Sequence, residues 1–407
     1  MPPSTTDFPY LERLIQMTPI EITFWLSVAI LFYCYLGYGI LLVAFNAVKR
    51  LCYPSRKSSD FELLPVTLIV AAYNEECVLR EKIKNTLQID YPSQLLRVIF
   101  ITDGSTDGSS VLVSQFPFIT LLHQSPREGK SAAIKRAMRY VQTPIVVFSD
   151  ANAMLNADCL KAIVRHYSDP GVGGVAGEKR IIRNSCNSVL GKAEGMYWKY
   201  ESFMKQQDSS FNTVVGASGE LFSIRTELFE LHENNLILDD FIISMQVCLE
   251  GYKIKYEPHA YAIEYPSASL LDEEKRKIRI AAGAFQATEY FTQRLRFFRH
   301  PLLSFQYFSR RLLRWIACPF LILVVFFTNV WLVADHQGVI FNSLLLAQVL
   351  FYSLALLGRF FILAGLRVGI LNIPFYFLFM NACLVKGFFQ YSQGRQTVLW
   401  EKSVREA

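Results

Sequence analysis

The sequence is short of charge and lacks every ready-made phosphate loop. Only 19% of its 407 residues are charged and 52% are hydrophobic. An ordinary soluble domain carries about 25% charged residues, so this balance speaks for a membrane protein. The eight cysteines are scattered with no C-x-x-C pair. That argues against a zinc or disulfide scaffold and fits reduced thiols in a cytoplasmic domain. Neither a G-x-G-x-x-G fingerprint nor a G-x-x-x-x-G-K-[ST] loop is present. "GVGGVAG" at 171–177 lacks both spacings and reads as a flexible turn flanking a strand. A net charge of +6 with no clustered basic face gives no nucleic-acid stripe, and suits contact with anionic lipid headgroups.

The apolar excess is concentrated in runs. Phe24 to Val48 and Ile316 to Ala334 carry no formal charge, nor does Val339 to Gly358. Val368 to Phe389 is interrupted only by Lys386. About 20 apolar residues cross a hydrocarbon core of roughly 30 Å, so one N-terminal span (24–48) and about three C-terminal spans (316–392) are expected. The first run is too long for a signal-peptide core and has no small-residue cleavage site before Lys49, which makes it a retained anchor. Lys49, Arg50, Arg56 and Lys57 follow it. The positive-inside rule then puts the middle of the chain in the cytoplasm, as part of a multi-pass protein of the cell membrane. Four spans from an outside N-terminus would leave the tail 393–407 outside. The basic "GRQTVLWEKSVREA" disagrees, which leaves open that one C-terminal segment does not cross.

Residues 65–265 alternate strand and helix patterns. "PVTLIVAAYNEE", "LLRVIFITDGSTDGSS", "FITLLHQ" and "PIVVFSDANAML" read as strands, separated by helical spacing in "VLREKIKNTLQI" and "KSAAIKRAMRYV". Alternation of this kind predicts an α/β domain with a largely parallel sheet, and ligands bind such sheets beyond the strands' carboxyl ends. Three polar tips fall there: Tyr73-Asn74-Glu75, Asp103-Gly104-Ser105 and Asp150-Ala151-Asn152. One acid at a strand end is usually turn chemistry; three acidic tips on one sheet edge are a candidate site. Asp150 and Asn152, two apart in an extended segment, face the same way and offer two oxygens to one hard cation.

Taken together, "AAYNEE", "ITDGSTDGS", "GKSAAIKRAM" and "FSDANAML", then "GASGELFSIR", "LDDFIISMQVCLEGYKIKYEP" and "RRLLRW", resemble family 2 glycosyltransferases of the GT-A fold. They resemble in particular the membrane-bound branch with the cellulose, chitin and hyaluronan synthases. The resemblance covers residues 65–315. It implies a Rossmann-like GT-A catalytic domain (59–269) between an N-terminal segment (1–58) and amphipathic interface helices (270–315). These interface helices interleave basic and aromatic residues.

The resemblance also implies roles. Tyr73 and Glu75, with Asn74 between them, match positions near the uracil of a UDP-sugar, and Asp103 the residue that contacts the base. Lys130 matches a diphosphate-binding lysine. Asp150 and Asn152 match the D-x-D metal motif for Mg²⁺ or Mn²⁺, with Asn in place of the second Asp. An amide oxygen ligates without adding charge, so Asp150 is the principal expected ligand. Leu238-Asp239-Asp240 aligns with T-E-D, making Asp240 the general base and Asp239 its acidic neighbour. The same pair can cap the helix that follows. Gly216, Ala217 and Ser218 occupy the acceptor-site loop, which is also readable as a tight turn. Arg314 and Trp315 match the Q-x-x-R-W motif of processive synthases, with Arg311 in place of Gln; Arg suits a diphosphate and Trp an acceptor ring. Arg and Trp also anchor helices at a membrane interface. His259 and Cys248 read as structural.

The expected function is an inverting hexosyl transfer from a UDP-sugar to a growing β-linked polysaccharide at the cytoplasmic membrane face. Addition of one sugar to a lipid carrier or glycolipid is the rival reaction. An inactive transferase-like transporter or scaffold is the rival of another class.

Overall fold

The computed structural model describes residues 17–52, 61–182, 189–231, 235–267, 269–295, 298–336, 338–364 and 369–395. Arg56, Lys57 and the tail beyond 395 lie outside the described residues. The first element among the described residues is helix α1 (Pro19–Cys52). The α/β pattern then runs β1 (Val66–Ala72), α2 (Glu76–Leu87), β2 (Leu96–Asp103), α3 (Ser109–Ser114), β3 (Ile119–Gln124), α4 (Lys130–Met138) and β4 (Ile145–Asp150). A second half follows with β5 (Met154–Leu155), α5 (Cys159–Val164), β6 (Val172–Ile181), α6 (Val189–Phe211), β7 (Phe222–Arg225), α7 (Asp239–Leu249) and β8 (Lys253–Glu264).

The strands make one eight-stranded sheet, in the order β3-β2-β1-β4-β7-β6-β8-β5. β1 to β4 pair in parallel, as alternation with helices requires. Their fully apolar faces explain the near-continuous hydrophobic runs: Leu68, Val70, Phe100 and Val147 pack on one side, and Ile69, Ile101 and Phe148 on the other. β7 is antiparallel to both β4 and β6, with Phe222 opposite Phe148. A reversed strand begins at the edge where its parallel neighbours end. The 216–221 loop is therefore delivered beside Asp150. The register aligns the three polar tips as well: Ala71 pairs with Asp150, Ala72 with Thr102 and Asp103 with Gln124.

"GVGGVAG" is not a flexible turn. From Val172 onward it is the buried start of β6. A side chain on Gly174 would meet the Ser223 carbonyl oxygen at 2.6 Å, and one on Gly177 the Ala260 carbonyl oxygen at 2.8 Å. The glycines let neighbouring strands and helices approach, a need that sequence spacing alone does not reveal.

Four helices among the described residues are long and apolar enough to cross a membrane: α1, α9 (Pro301–Ala334), α10 (Val339–Leu363) and α11 (Asn372–Ser392). The stretch 270–315, expected as interface helices, divides differently. α8 (Leu270–Thr292) buries Glu273 and Lys277. The R-x-x-R-W segment lies inside α9, within a π-helical stretch, Phe308–Ala317. That stretch is bolted to the catalytic domain. The Glu201 carboxylate of α6 accepts from Arg310 at 2.7 Å and Arg314 at 2.6 Å. Asp208, about two turns along the same helix, accepts from Arg310 at 3.1 Å and from the Tyr38 hydroxyl of α1 at 2.5 Å. All of these side chains are buried or nearly so.

Removing one partner of a buried ion pair leaves an uncompensated charge and costs about 3 to 5 kcal/mol. Glu201→Gln should therefore lower the unfolding temperature in detergent markedly and loosen α9 from the catalytic domain. Melting within a degree of the parent protein would show that the ion pairs do not hold the two parts together.

Candidate active site

The sheet edge brings three charged side chains to one point. Asp150 ends β4. Lys130 begins α4, and its Nζ lies 2.5 Å from Asp150 Oδ1. Asp240 stands in the first turn of α7, where its Oδ1 accepts the Phe241 N–H at 2.8 Å. All three converge on Gly219. A Cβ there would stand 2.9 Å from Lys130 Nζ, 3.3 Å from Asp240 Oδ2 and 3.5 Å from Asp150 Oδ2. Gly216 serves another purpose: its φ is +82°, and any Cβ would collide with the Phe241 ring.

The charges tune one another. Burial, reinforced by the Asp239 carboxylate, pushes Asp240 up to about 7, with Lys130 pulling the other way. Burial raises Asp239 too, against Lys130, and its Oδ2 has no hydrogen-bond partner among the described residues. For Lys130, burial opposes the charge, but Asp150, Asp239 and Asp240 outweigh it and hold the ammonium above the ordinary lysine range. A carboxylate with a pKa near neutrality, next to a fixed cation, is poised for proton transfer.

No group of three or more His, Cys, Asp or Glu side chains suited to a metal occurs among the described residues. At the sheet edge the motif offers Asp150, with Asn152 two residues on. That donor set fits Mg²⁺ or Mn²⁺, which are commonly held by one or two protein oxygens together with substrate phosphates and water. The Lys130 ammonium already sits on one Asp150 oxygen, so this carboxylate faces a place that accepts positive charge.

The other two tips are knitted into the fold. Asp103 is fully buried, and its oxygens accept from the Glu128 and Gly129 N–H groups, the latter at 2.7 Å. It thereby fixes the turn that delivers Lys130. Asn74 adopts φ +53° and accepts the Thr106 N–H at 2.8 Å, while its own N–H donates to Ser105. The Glu75 N–H donates to the Ser109 hydroxyl. The Arg127 guanidinium lies 3.5 Å from the centre of the Tyr73 ring. Arg127 went unnoticed in the sequence, since nothing in its spacing links it to Tyr73.

On the far side of Asp240 a cavity of about 650 Å³ opens between the catalytic domain and the long apolar helices. Ala217, Ser218, Tyr197, Trp198, Trp315 and Tyr376 are among its walls. The Ala217 N–H donates to Ser244 at 2.8 Å, and Ser218 accepts from Lys205. Arg311 donates twice to the Val215 carbonyl, at 3.0 and 2.9 Å, and lies 5.8 Å from the Phe241 ring centre and 5.4 Å from that of Trp315. Arg314 lines the same cavity, but its ion pair is with Glu201. The α6 residues Tyr197, Trp198 and Lys205 carried no sequence signal, because α6 looks like any amphipathic helix until α9 and α11 are packed on it.

Residues 67–232 match the model of the glycosyl transferase family 2. Among curated proteins, the chain is 26% identical over 262 residues to the poly-beta-1,6-N-acetyl-D-glucosamine synthase of Staphylococcus aureus (strain COL). It is 24% identical over 241 residues to that of Staphylococcus epidermidis. The first match spans 60% of this chain and 61% of the S. aureus protein, so less than two thirds of that relative is represented. Among solved structures, a mannosyltransferase from Pyrobaculum calidifontis, in complex with GDP-Man and Mn²⁺, superposes with a TM-score of 0.69 at 22% identity, covering 92% of this chain and 99% of that one. At that identity the likeness shows the fold, which is the expected GT-A sheet with several long apolar helices. The chain carries a glycosyltransferase family 2 domain.

Proposed function

We propose that this protein is an inverting hexosyltransferase of the membrane, moving a sugar from a UDP-sugar to a growing β-linked polysaccharide at the cytoplasmic face. The observation that carries this reading is the position of Asp240, between the Lys130–Asp150 edge and the aromatic cavity. One carboxylate thus borders both a place suited to a donor diphosphate and a place suited to an acceptor.

In this reading the base lies over the tips of Tyr73, Asn74, Glu75 and Asp103, and Arg127 moves off the Tyr73 ring to admit it. Lys130 binds the diphosphate. Asp150, with Asn152, would hold a divalent cation, which offsets phosphate charge when bound. Asp240 accepts the proton of the acceptor hydroxyl. The freed oxygen bonds to the anomeric carbon as the bond from that carbon to the diphosphate oxygen breaks, its electron pair leaving on UDP. Lys130 stabilises that leaving charge. Attack opposite the leaving group inverts the anomeric centre. Gly216, Ala217 and Ser218 leave room for the acceptor ring, Trp315 offers it a face, and Arg311 fixes the loop through the Val215 carbonyl.

The names of the staphylococcal relatives support a polysaccharide product. The nucleotide and metal named with the archaeal structure support a nucleotide-diphosphate sugar and a divalent cation. A second reading, transfer to a lipid-linked acceptor, is favoured by the apolar cavity wall that α11 contributes through Ile373, Phe377, Met380 and Leu384. Offering the purified protein a panel of nucleotide sugars and sizing its products separates the two. A long product supports the first reading, and a single addition to a lipid the second. Nucleotide release without any acceptor product would support an inactive scaffold.

Asp240→Asn should lower transfer by about 10²- to 10⁴-fold while UDP binding persists. A base works only when deprotonated. With Asp240 near 7, the rate should rise as pH increases through neutrality and fall in acid. A flat profile from about pH 6 to 8, or near-normal turnover of the Asn variant, would remove Asp240 from this role.

Excess chelator should abolish activity, as should Asp150→Ala. Asn152→Asp, which restores two carboxylates, should be tolerated. Full activity in chelator would refute the metal assignment.

A further inference from the structure

One buried charge has no part in the mechanism above. Lys82, on α2, is fully buried, and no carboxylate among the described residues makes an ion pair with it. Its Nζ donates to the Ser149 hydroxyl at 2.8 Å and to the Ala153 carbonyl. Ser149 and Ala153 bracket Asp150, Ala151 and Asn152. The Ser149 hydroxyl passes the link on, donating to the Glu220 carbonyl at 3.0 Å, next to Gly219. One turn further along α2, Asn85 grips the same segment from behind. Its amide donates to the Leu155 carbonyl at 2.7 Å, and its oxygen accepts the Leu155 N–H at 2.8 Å. Residues three apart share a helix face, so α2 presents a two-point clamp to the turn that carries Asp150.

An ammonium is an expensive way to fill a core position. Burial lowers the Lys82 pKa to about 8, and an apolar side chain of equal length would avoid that cost. Its placement makes sense if what matters is the geometry of the turn: one cation fastens a side chain at one end of the turn and a carbonyl at the other. We infer that Lys82, backed by Asn85, is a positioning residue that sets the Asp150–Asn152 turn, and through Ser149 the Gly219–Glu220 backbone, in the arrangement that accepts a divalent cation. This rests on the metal role given to Asp150 above.

The test is Mn²⁺ binding by the purified full chain, followed by the loss of the free-ion electron paramagnetic resonance signal, with and without saturating UDP. Lys82→Met, Ser149→Ala and Asp150→Ala are compared with the parent. Groups that orient a metal ligand typically change metal affinity 10- to 100-fold when removed. Lys82→Met and Ser149→Ala should each weaken Mn²⁺ about tenfold or more, while UDP affinity measured without metal stays at the parent value. A role in stability alone predicts a lower melting temperature with unchanged Mn²⁺ affinity. If Lys82→Met does not fold, Ser149→Ala decides, since it breaks the same chain without touching the buried lysine. Parent-like Mn²⁺ affinity in the folded variants, with Asp150→Ala deficient, overturns the inference alone. Parent-like affinity in Asp150→Ala overturns the metal assignment and the inference with it.

Discussion

The Glu201 carboxylate, held between Arg310 and Arg314, is the contact on which the rest of the molecule turns. It joins a soluble-looking α/β domain to a bundle of apolar helices, adding buried charge to the apolar contacts that Tyr38, Leu42, Met204 and Phe305 make across the same junction. Apolar packing between α6 and α9 would be as content with lipid as with protein, because hydrocarbon gives no preference between them. An ion pair out of water has no such alternative. Its two halves are stable only together, and Asp208 and Tyr38 close the set by drawing in α1. The π-helical stretch of α9 lies within this contact. Such irregular turns persist where the surroundings over-determine them, frequently at functional sites. Once Arg310 and Arg314 are fixed, Arg311 and Trp315 have little freedom, and the wall of the cavity above Asp240 is set.

The same logic operates at the sheet edge on a smaller scale. Asp150, Asp239 and Asp240 would repel one another strongly if all were ionised in a buried place. Lys130 makes the cluster tolerable, and its own charge is secured by the carboxylates around it. Burial, with the Asp239 carboxylate, outweighs the cation, and Asp240 stays near 7 instead of falling to the ordinary carboxylate range. Gly219 is the geometric condition for it. Any side chain there would press first on the Lys130 ammonium, displacing a cation that the three acids share.

Much of this was legible in the sequence, for physical reasons. Strand periodicity and helix spacing are local, so the parallel half of the sheet and the shared edge of its three tips followed from "AAYNEE", "ITDGS" and "FSDAN". The uncharged runs gave four apolar helices by length alone. The resemblance implied a strand in "GASGELFSIR", but the antiparallel direction of β7 was not legible, since a four-residue strand has no periodicity to read. Nor was the strand inside "GVGGVAG", where glycine reports close backbone approach rather than mobility. Lys82, Arg127, Tyr197 and Lys205 were invisible for another reason. Each acts on a residue far away in the chain, and a lysine on an amphipathic helix looks solvated until something is packed on top of it. The motifs marked the residues that gather at the sheet edge; the side chains that hold those residues in place did not announce themselves.

The cavity wall carries a final distinction. Several of its charges are paired within the protein, Arg314 with Glu201 and Arg276 with Glu273 and Glu194, while Lys205 donates to the Ser218 hydroxyl. Ammonium groups lie over aromatic faces, Lys277 at 5.1 Å from the Tyr197 ring centre and Lys179 at 4.7 Å from that of Trp198. Such groups hold donors and acceptors in fixed directions beside flat apolar rings. That combination suits a sugar, which is neutral, rich in hydroxyls and apolar on its ring faces. Toward α11 the wall becomes aliphatic and aromatic. A sugar at the Asp240 end is thus common to both acceptor readings. What distinguishes them is the material that occupies the α11 end, a further stretch of glycan or the beginning of a lipid chain.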